Sequence, residues 1–330
     1  MCCAFARQAP EALLNRMAGH LPVMLREVLD LLAPQRGGHF LDGTFGGGGH
    51  SRAILEASPE VKLTALDRDP DAALRAQHLG EEFGNRFNFY HLEFSQLQTL
   101  TEHDYAGALF DLGVSSFQLD EAARGFSFGK PAPTDMRMDP STGISAADFL
   151  ETAPEAELAH AVRDLGEEKA WRRVCRAIIE ARGTGKLART DALATLVASA
   201  IPQRGGKPSR IHPATRTFQG IRMAVNDELG VLERMLPAAF ERLAPGGVLA
   251  IITFHSLEDR PVKRFFNHLA GRPEHAGDSR PQDERTKLAE LLTRRPLTPS
   301  EDELTANPRS RSAKVRAVRK LPAVGELQPA

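Results

Sequence analysis

The sequence predicts an α/β fold, a doubly wound and mostly parallel sheet interrupted by a helical insert. Three observations carry this. Short apolar runs alternate with helical patterns in the first 120 residues and again from Leu229 onward, and strand–helix alternation implies parallel pairing. The runs HFLDG (39–43), VKLTALD (61–67) and AGALFDL (106–112) each carry an acid at or near their carboxyl end. Between about Arg124 and Arg222 there are helical stretches and loops but no convincing strand.

The elements follow in order. Residues 1–18 read as an N-terminal extension. They hold Arg7 and Arg16 without an apolar stretch, so no secretory signal is expected. Patterned sequence begins at His20, and Met17 stands as an alternative start to Met1. His39–Gly43 is the first strand and runs into the turn GTFGGGG. A helix follows over 51–57, then a second strand over 61–66 ending in Asp67. Pro70 suits the first turn of the next helix. Phe87–Tyr90 is the third strand and Ala106–Leu112 the fourth. In the insert, Glu155–Ala181 is a long helical stretch broken near Gly166, and Thr190–Ala200 is another. RGGKPSRIHP (204–213) is loop chemistry. Leu229, Leu232, Leu236, Phe240 and Leu243 form one helical stripe, which Pro237 should kink or split. APGG (244–247) turns into the buried strand Val248–Thr253. A helix over 258–269 follows, then a polar, irregular stretch over 271–308. Ser312–Val318 alternates as a last, half-exposed edge strand. The predicted division is 1–18, then 19–123 with 223–330 as the sheet domain, and 124–222 as the insert.

Composition limits the function classes. Of 330 residues, 42% are hydrophobic and 26% charged, ordinary for a globular chain. Lys+Arg number 42 against 43 Asp+Glu, a net charge of −1 that excludes a globally basic nucleic-acid coat. No apolar run is long enough for a membrane span. Cys2, Cys3 and Cys175 form neither a disulfide framework nor a metal-ligand spacing, which predicts a reducing, cytoplasmic setting.

Asp42–His50 (DGTFGGGGH) sits where a first strand hands over to a helix. Glycines there admit positive φ and close backbone approach, and a helix N-terminus offers free N–H donors. No strict G-x-G-x-x-G frame can be read, and no Gly-Lys-Ser/Thr follows, so neither a dinucleotide nor a nucleoside triphosphate site fits. Asp67 is placed to take two ribose hydroxyls; alone, it would serve equally as a turn former before Asp69-Pro70. A Gly-rich turn and a ribose acid without phosphate-binding features point to a phosphate-free nucleoside cofactor, of which S-adenosylmethionine is the common one. Asp111 ends the fourth strand at the edge where open parallel sheets bind ligands.

The strings HLPVMLREVL (20–29), LDGTFGGGGHS (41–51), ALDRDP (65–70), DLGVSSFQLD (111–120), RGFSF (124–128), DMRMDP (135–140), HPATRTFQGIR (212–222) and FHSLEDR (254–260) resemble the bacterial 16S rRNA cytosine-N4 methyltransferases, the RsmH/MraW family. They occur in order, and the resemblance spans the chain from His20 to about Lys320. The resemblance implies a class I, Rossmann-like methyltransferase fold with a substrate-recognition insert. It also implies methylation of a cytidine N4 amine in small-subunit 16S rRNA near the decoding centre. Carried over by motif position, Gly48, Gly49, His50, Asp67, Phe94, Asp111 and Gln118 contact S-adenosylmethionine. Phe94 would cover the adenine or serve as core; Gln118 would meet the cofactor or sit in a loop; His50 would bind cofactor or simply pack at the helix start. Thr134 and Pro237 depart from the family pattern.

The acceptor amine is a weak nucleophile, so proximity and orientation are the enzyme's main contribution. Asp111 or a backbone carbonyl in 111–116 is expected to accept from the N4 hydrogens. The target base must be unstacked, and no metal is expected. Residues 163–216 hold twelve Lys/Arg against five Asp/Glu, a patch that suits rRNA phosphates or is merely a solvated face. The basic run Arg309–Lys320 is the weaker RNA candidate. A non-enzymatic rRNA-binding assembly factor and, more distantly, an NAD-dependent oxidoreductase are the alternatives. Monomer and homodimer both remain open.

Overall fold

The computed structural model describes residues 21–202 and 212–322. The extension 1–18 and Arg204, Lys207 and Arg210 of the basic stretch lie outside the described residues. The chain forms two compact units. One takes the described residues up to Gly113 together with those from Val231, and the other is Val114–Gly230.

The first unit is a seven-stranded sheet. Its strands are β1 (Gly38–Asp42), β2 (Val61–Asp67), β3 (Phe87–His91), β4 (Tyr105–Asp111), β5 (Leu243–Thr253), β6 (Ala289–Leu291) and β7 (Lys314–Lys320), in the order β3-β2-β1-β4-β5-β7-β6. β1 to β5 pair in parallel, while β7 runs antiparallel to both β5 and β6. This is a doubly wound order, with the strand sequence reversing between β1 and β4. Period-two alternation divides each central strand between two cores. Phe40, Leu63, Leu109 and Ile252 pack on one face with Val28 and Ile54. Leu41, Leu66, Phe110 and Ile251 pack on the other with Leu232, Leu236, Val262 and Phe266.

Four sequence expectations change. APGG is not a turn before β5: the strand reaches back to Leu243, which pairs with Tyr105, and the register then shifts before Gly107↔Val248. Ala244–Gly247 is therefore a bulge, and Gly247 is required because a Cβ there would stand 2.6 Å from the Tyr105 carbonyl oxygen. Pro237 does not split its helix: it lies inside the single helix Glu228–Glu241, which buries Leu232, Met235, Leu236, Ala239 and Phe240. Side-chain burial on that scale outweighs one lost backbone bond. The stretch 271–308 contains β6 and the helix Glu301–Ala306, capped by Ser300. β6 covers β7, so the last strand is not the edge. Val315, Ala317 and Val318 are fully buried. The basic residues of β7 are engaged within the unit. Arg316 makes a bidentate pair with Asp259 at 2.7 and 3.0 Å, and Lys320 Nζ donates to the carbonyls of Glu241 and Leu243. That accounts for much of the C-terminal run without RNA.

The second unit is helical, around a core that includes Phe126, Met136, Leu150, Val162, Ile178, Leu193 and Phe218. The long helical stretch breaks as expected: Glu155–Ala159 passes into a π-helical turn, His160–Leu165, and Trp171–Glu180 restarts after Gly166 and the left-handed Glu167. The helix Thr215–Val225 packs on this turn backbone to backbone. A Cβ on Gly220 would sit 2.1 Å from the Ala161 carbonyl oxygen, and one on Gly166 would sit 2.6 Å from that of Arg216. Gly220→Ala should therefore destabilise the second unit by about 1–3 kcal/mol or more. Urea unfolding followed by Trp171 fluorescence measures it, and a loss below about 0.5 kcal/mol would show that the helices can separate freely.

Candidate active site

Asp42, Asp67 and Asp111 close β1, β2 and β4. Asp42 lies opposite Ala65 and Leu109, so the three acids share one carboxyl edge within two residues of register. Each holds part of the Gly-rich loop. Buried Asp42 accepts from Thr44 N at 3.1 Å and from the Ser51 hydroxyl at 2.6 Å. Burial is the main cause that raises its pKa to about 6, against those two bonds, and the Asp67 charge adds to the rise. Asp67 accepts from Gly46 N at 2.7 Å and Asp69 N at 2.8 Å. Burial again outweighs these bonds and lifts its carboxyl above the usual range. A carboxylate has about four lone-pair sites, so acceptor capacity remains for a ligand.

The loop is further tied to both neighbouring strands. Phe45 N donates to Leu66 O and Gly43 N to Leu109 O; Asp111 N donates to the Thr44 hydroxyl at 2.6 Å; Arg75 Nε donates to Gly46 O at 2.8 Å. Gly46 and Gly48 have φ of 54° and 76°. A Cβ on Gly48 would meet the Phe45 ring at 2.6 Å, and one on Gly43 would meet the Phe110 ring at 2.0 Å. Some of the glycine requirement thus comes from the chain's own aromatic packing.

His50 follows Gly49 in the first turn of the helix Gly49–Glu56. It is 7% exposed, and its Nε2 bonds the Val23 carbonyl at 3.0 Å. That bond fixes the proton on Nε2 and leaves Nδ1 facing Asp111 Oδ2 at 4.0 Å. Burial lowers the His50 pKa to about 4, the Val23 bond opposing. Asp111 is raised well above the carboxylate range by burial first, then by the charges of Asp42 and Glu258. Its Oδ1 is shut from solvent with no hydrogen-bond partner among the described residues. Phe94 begins the turn after β3, half-buried, with its ring edge-on to Phe110 at 5.7 Å. Gly48, Gly49, His50, Asp67, Phe94 and Asp111 therefore all belong to the first unit, at or after the carboxyl ends of the four strands β1 to β4. Gln118 belongs to the second, where it is buried and closes a capping box with Ser115.

Sequence reading missed Thr44, Ser51 and Arg75 as holders of the loop, and His255 and Glu258 at the end of β5. Thr44 and Ser51 stood inside the quoted glycine motif, and His255 and Glu258 inside FHSLEDR. Arg75 carried no signal, since it reaches the loop from the helix Pro70–Phe83.

The second unit presents one basic helix face. Trp171–Glu180 buries Val174, Cys175 and Ile178 and leaves Arg172, Arg173 and Arg176 exposed. Other basic residues of the stretch are engaged locally: Arg163 pairs with Asp164, and Arg182 donates to the carbonyls of Leu150 and Ala153. The guanidinium groups of Arg163 and Arg172 stand 5.2 and 4.4 Å from the centre of the Trp171 ring.

Residues 17–321 match the MraW methylase family. The chain belongs to that family. Among its relatives, a ribosomal RNA small subunit methyltransferase H from Methylobacterium sp. (strain 4-46) is 49% identical over 307 residues, covering 91% of this chain and 90% of the relative. The protein of the same name from Gluconobacter oxydans (strain 621H) is 47% identical over 305 residues, covering 91% and 93%. That from Paramagnetospirillum magneticum is 48% identical over 305 residues, covering 90% and 94%. Membership in a methylase family sets aside the oxidoreductase alternative. No described helix is long and apolar enough to cross a membrane.

The site makes a signed prediction for stability. The folded His50 pKa lies below its ordinary 6.5, so between 6.5 and about 4 the unfolded chain binds the extra proton and stability falls as pH falls. Asp42 acts oppositely: its folded carboxyl is raised from 3.8 to about 6, so lowering the pH through that window favours the folded state. His50→Gln removes only the first effect. Between about pH 7 and pH 5 the native protein should lose about 2 kcal/mol more than His50→Gln. Urea titrations at both pH values check this, and equal losses would mean that His50 titrates as a solvated residue.

Proposed function

We propose that the protein methylates the N4 exocyclic amine of a cytidine in 16S rRNA of the small ribosomal subunit, near the decoding centre, with S-adenosylmethionine as donor. The observation that carries the donor assignment is the set of three strand-end carboxylates around a Gly-rich loop in a methylase-family chain. This edge is acidic. The nearby Arg68 and Arg75 are committed to Glu93 at 3.0 Å and Gly46 O at 2.8 Å. A pyrophosphate would meet repulsion here, whereas a cationic, phosphate-free nucleoside is attracted. The buried, unpartnered Oδ1 of Asp111 fits such a ligand, since a ligand cation would satisfy it. The bacterial relatives, named for small-subunit rRNA methylation, support the substrate class.

When bound, the cofactor supplies an electrophilic methyl group on sulfur. The chain's part is placement. Asp67 would take the ribose hydroxyls, Phe94 would offer a ring to the adenine, and Gly48 and Gly49 would let the backbone approach. His50 holds the helix start in place through Val23. Asp111 would offer its carboxyl to the cationic end, and Gln118 enters only as the cofactor contact that the family motif implies. Cytosine N4 is delocalised into its ring, so rate comes from holding amine and methyl in line. A base taken out of its stack is required for that approach. The second unit binds the rRNA.

Two experiments test this reading. Mass mapping of 16S rRNA from cells lacking the gene should show one cytidine lighter by a methyl group, restored by the native gene. Purified Asp67→Ala should bind S-adenosylmethionine about ten- to a hundredfold more weakly, the cost of losing bonds to a charged acceptor. Unchanged affinity in a folded variant would remove Asp67 from the site.

The basic face predicts a separate behaviour. Arg172 and Arg176 are four apart and share a helix face. In the double variant Arg172→Ala/Arg176→Ala, the slope of log K for rRNA against log salt should flatten by about 1.5–2 units. Affinity for S-adenosylmethionine should not change. A wild-type salt slope would identify this face as merely solvated.

A further inference from the structure

His255 and Glu258 have no role in the site as built so far. His255 lies just past β5, after Phe254, and immediately precedes the helix Ser256–Leu269. β5 is the parallel neighbour of β4, with Asp111 opposite Ile252 and Leu112 N donating to Ile252 O at 3.0 Å. The two strands therefore deliver Asp111 and His255 to the same carboxyl edge. Glu258 is 3% exposed, and its Oε2 accepts from Phe254 N at 2.8 Å, which locks the carboxylate under the turn. Its Oε1 stands 3.1 Å from His255 Nε2. That is a charge-pairing distance, but off the line of a hydrogen bond. Both ring nitrogens of His255 are closed to solvent and have no hydrogen-bond partner among the described residues. The Glu258 charge also contributes to the rise at Asp111, as expected for groups sharing one edge.

An imidazole with two idle nitrogens beside a locked carboxylate needs an explanation. The reaction supplies one, on the reading proposed above. As the N4 lone pair forms the new C–N bond, the C–S pair leaves with sulfur and N4 gains positive charge. One N–H bond must then break, its electron pair returning to the ring and its proton leaving. We propose that His255 accepts this proton and that Glu258 is the positioning residue that stabilises the resulting imidazolium. A neutral imidazole beside a carboxylate becomes a compact ion pair, so the proton is taken up without leaving net charge buried. Catalytic hydrogen bonds are often long or misaligned until substrate is bound, which accounts for the 3.1 Å contact without alignment.

The test uses the full chain, small subunits lacking the methyl group, and mass detection of N4-methylcytidine. His255→Ala should lower kcat about 100-fold or more, with KM for subunits and Kd for S-adenosylmethionine unchanged. Added imidazole should restore part of the rate. Glu258→Gln, which keeps an acceptor for Phe254 N, should lower kcat with the same unchanged KM and Kd. Full activity of His255→Ala, or a loss in a folded variant that imidazole does not repair, overturns the assignment. A native enzyme that makes no N4-methylcytidine overturns the underlying reading instead, so the two failures are separate.

Discussion

The candidate site depends on hydrogen bonds between strand-end carboxylates and the backbone of a glycine-rich loop. Asp67 grips Gly46 N, Asp42 grips Thr44 N and Ser51, and Thr44 in turn takes Asp111 N. Each acid sits where a parallel strand stops, because parallel strands finish at the same edge and need short polar residues there to turn the chain. The bonds place several acids close together in a poorly hydrated region. Burial first, and then repulsion from neighbouring acids, raises Asp42 and Asp111. The edge is thus held ready for a cation, and that electrostatic state follows from how the loop is anchored.

Most of the sheet was legible in the sequence, for a physical reason. Central parallel strands are buried on both faces, so AGALFDL reads as an apolar run up to its acid, and VKLTALD is interrupted only by the exposed Lys62 and by Thr64. Legibility failed where local chemistry resembled something else. APGG has the composition of a turn, yet it is a bulge fixed by the pairing of Leu243 with Tyr105. Three-residue β6 is too short to show a period, and without it β7 looks like an edge. Among site residues, the glycine loop and the strand-end acids were visible as types at positions. The bond from Arg75, the capping role of Gln118 and the His255–Glu258 pair were not, because they depend on distances that no spacing rule encodes.

Charge was the least readable property. The basic run at the C-terminus and the basic stretch of the insert look alike in sequence. In the structure they part: Arg316 and Lys320 are consumed by Asp259 and by backbone carbonyls, whereas Arg172, Arg173 and Arg176 stand on an exposed helix face. What separates them is the burial of the element that carries them. A strand placed inside a sheet must neutralise its cations locally, while a helix with one buried side keeps them in water.

The insertion of Val114–Gly230 between β4 and β5 also bears on how the chain reaches this structure. β4 and β5 are neighbours in the middle of the sheet, yet the chain leaves at Asp111 and returns only at Leu243. Closing so long a loop in an unfolded chain carries an entropic cost that grows with its length, and distant pairings of this kind slow folding. An insert with its own hydrophobic core removes many of those free residues once it has collapsed. Early collapse of the helical unit would shorten the effective loop and lower the entropic cost of pairing β4 with β5.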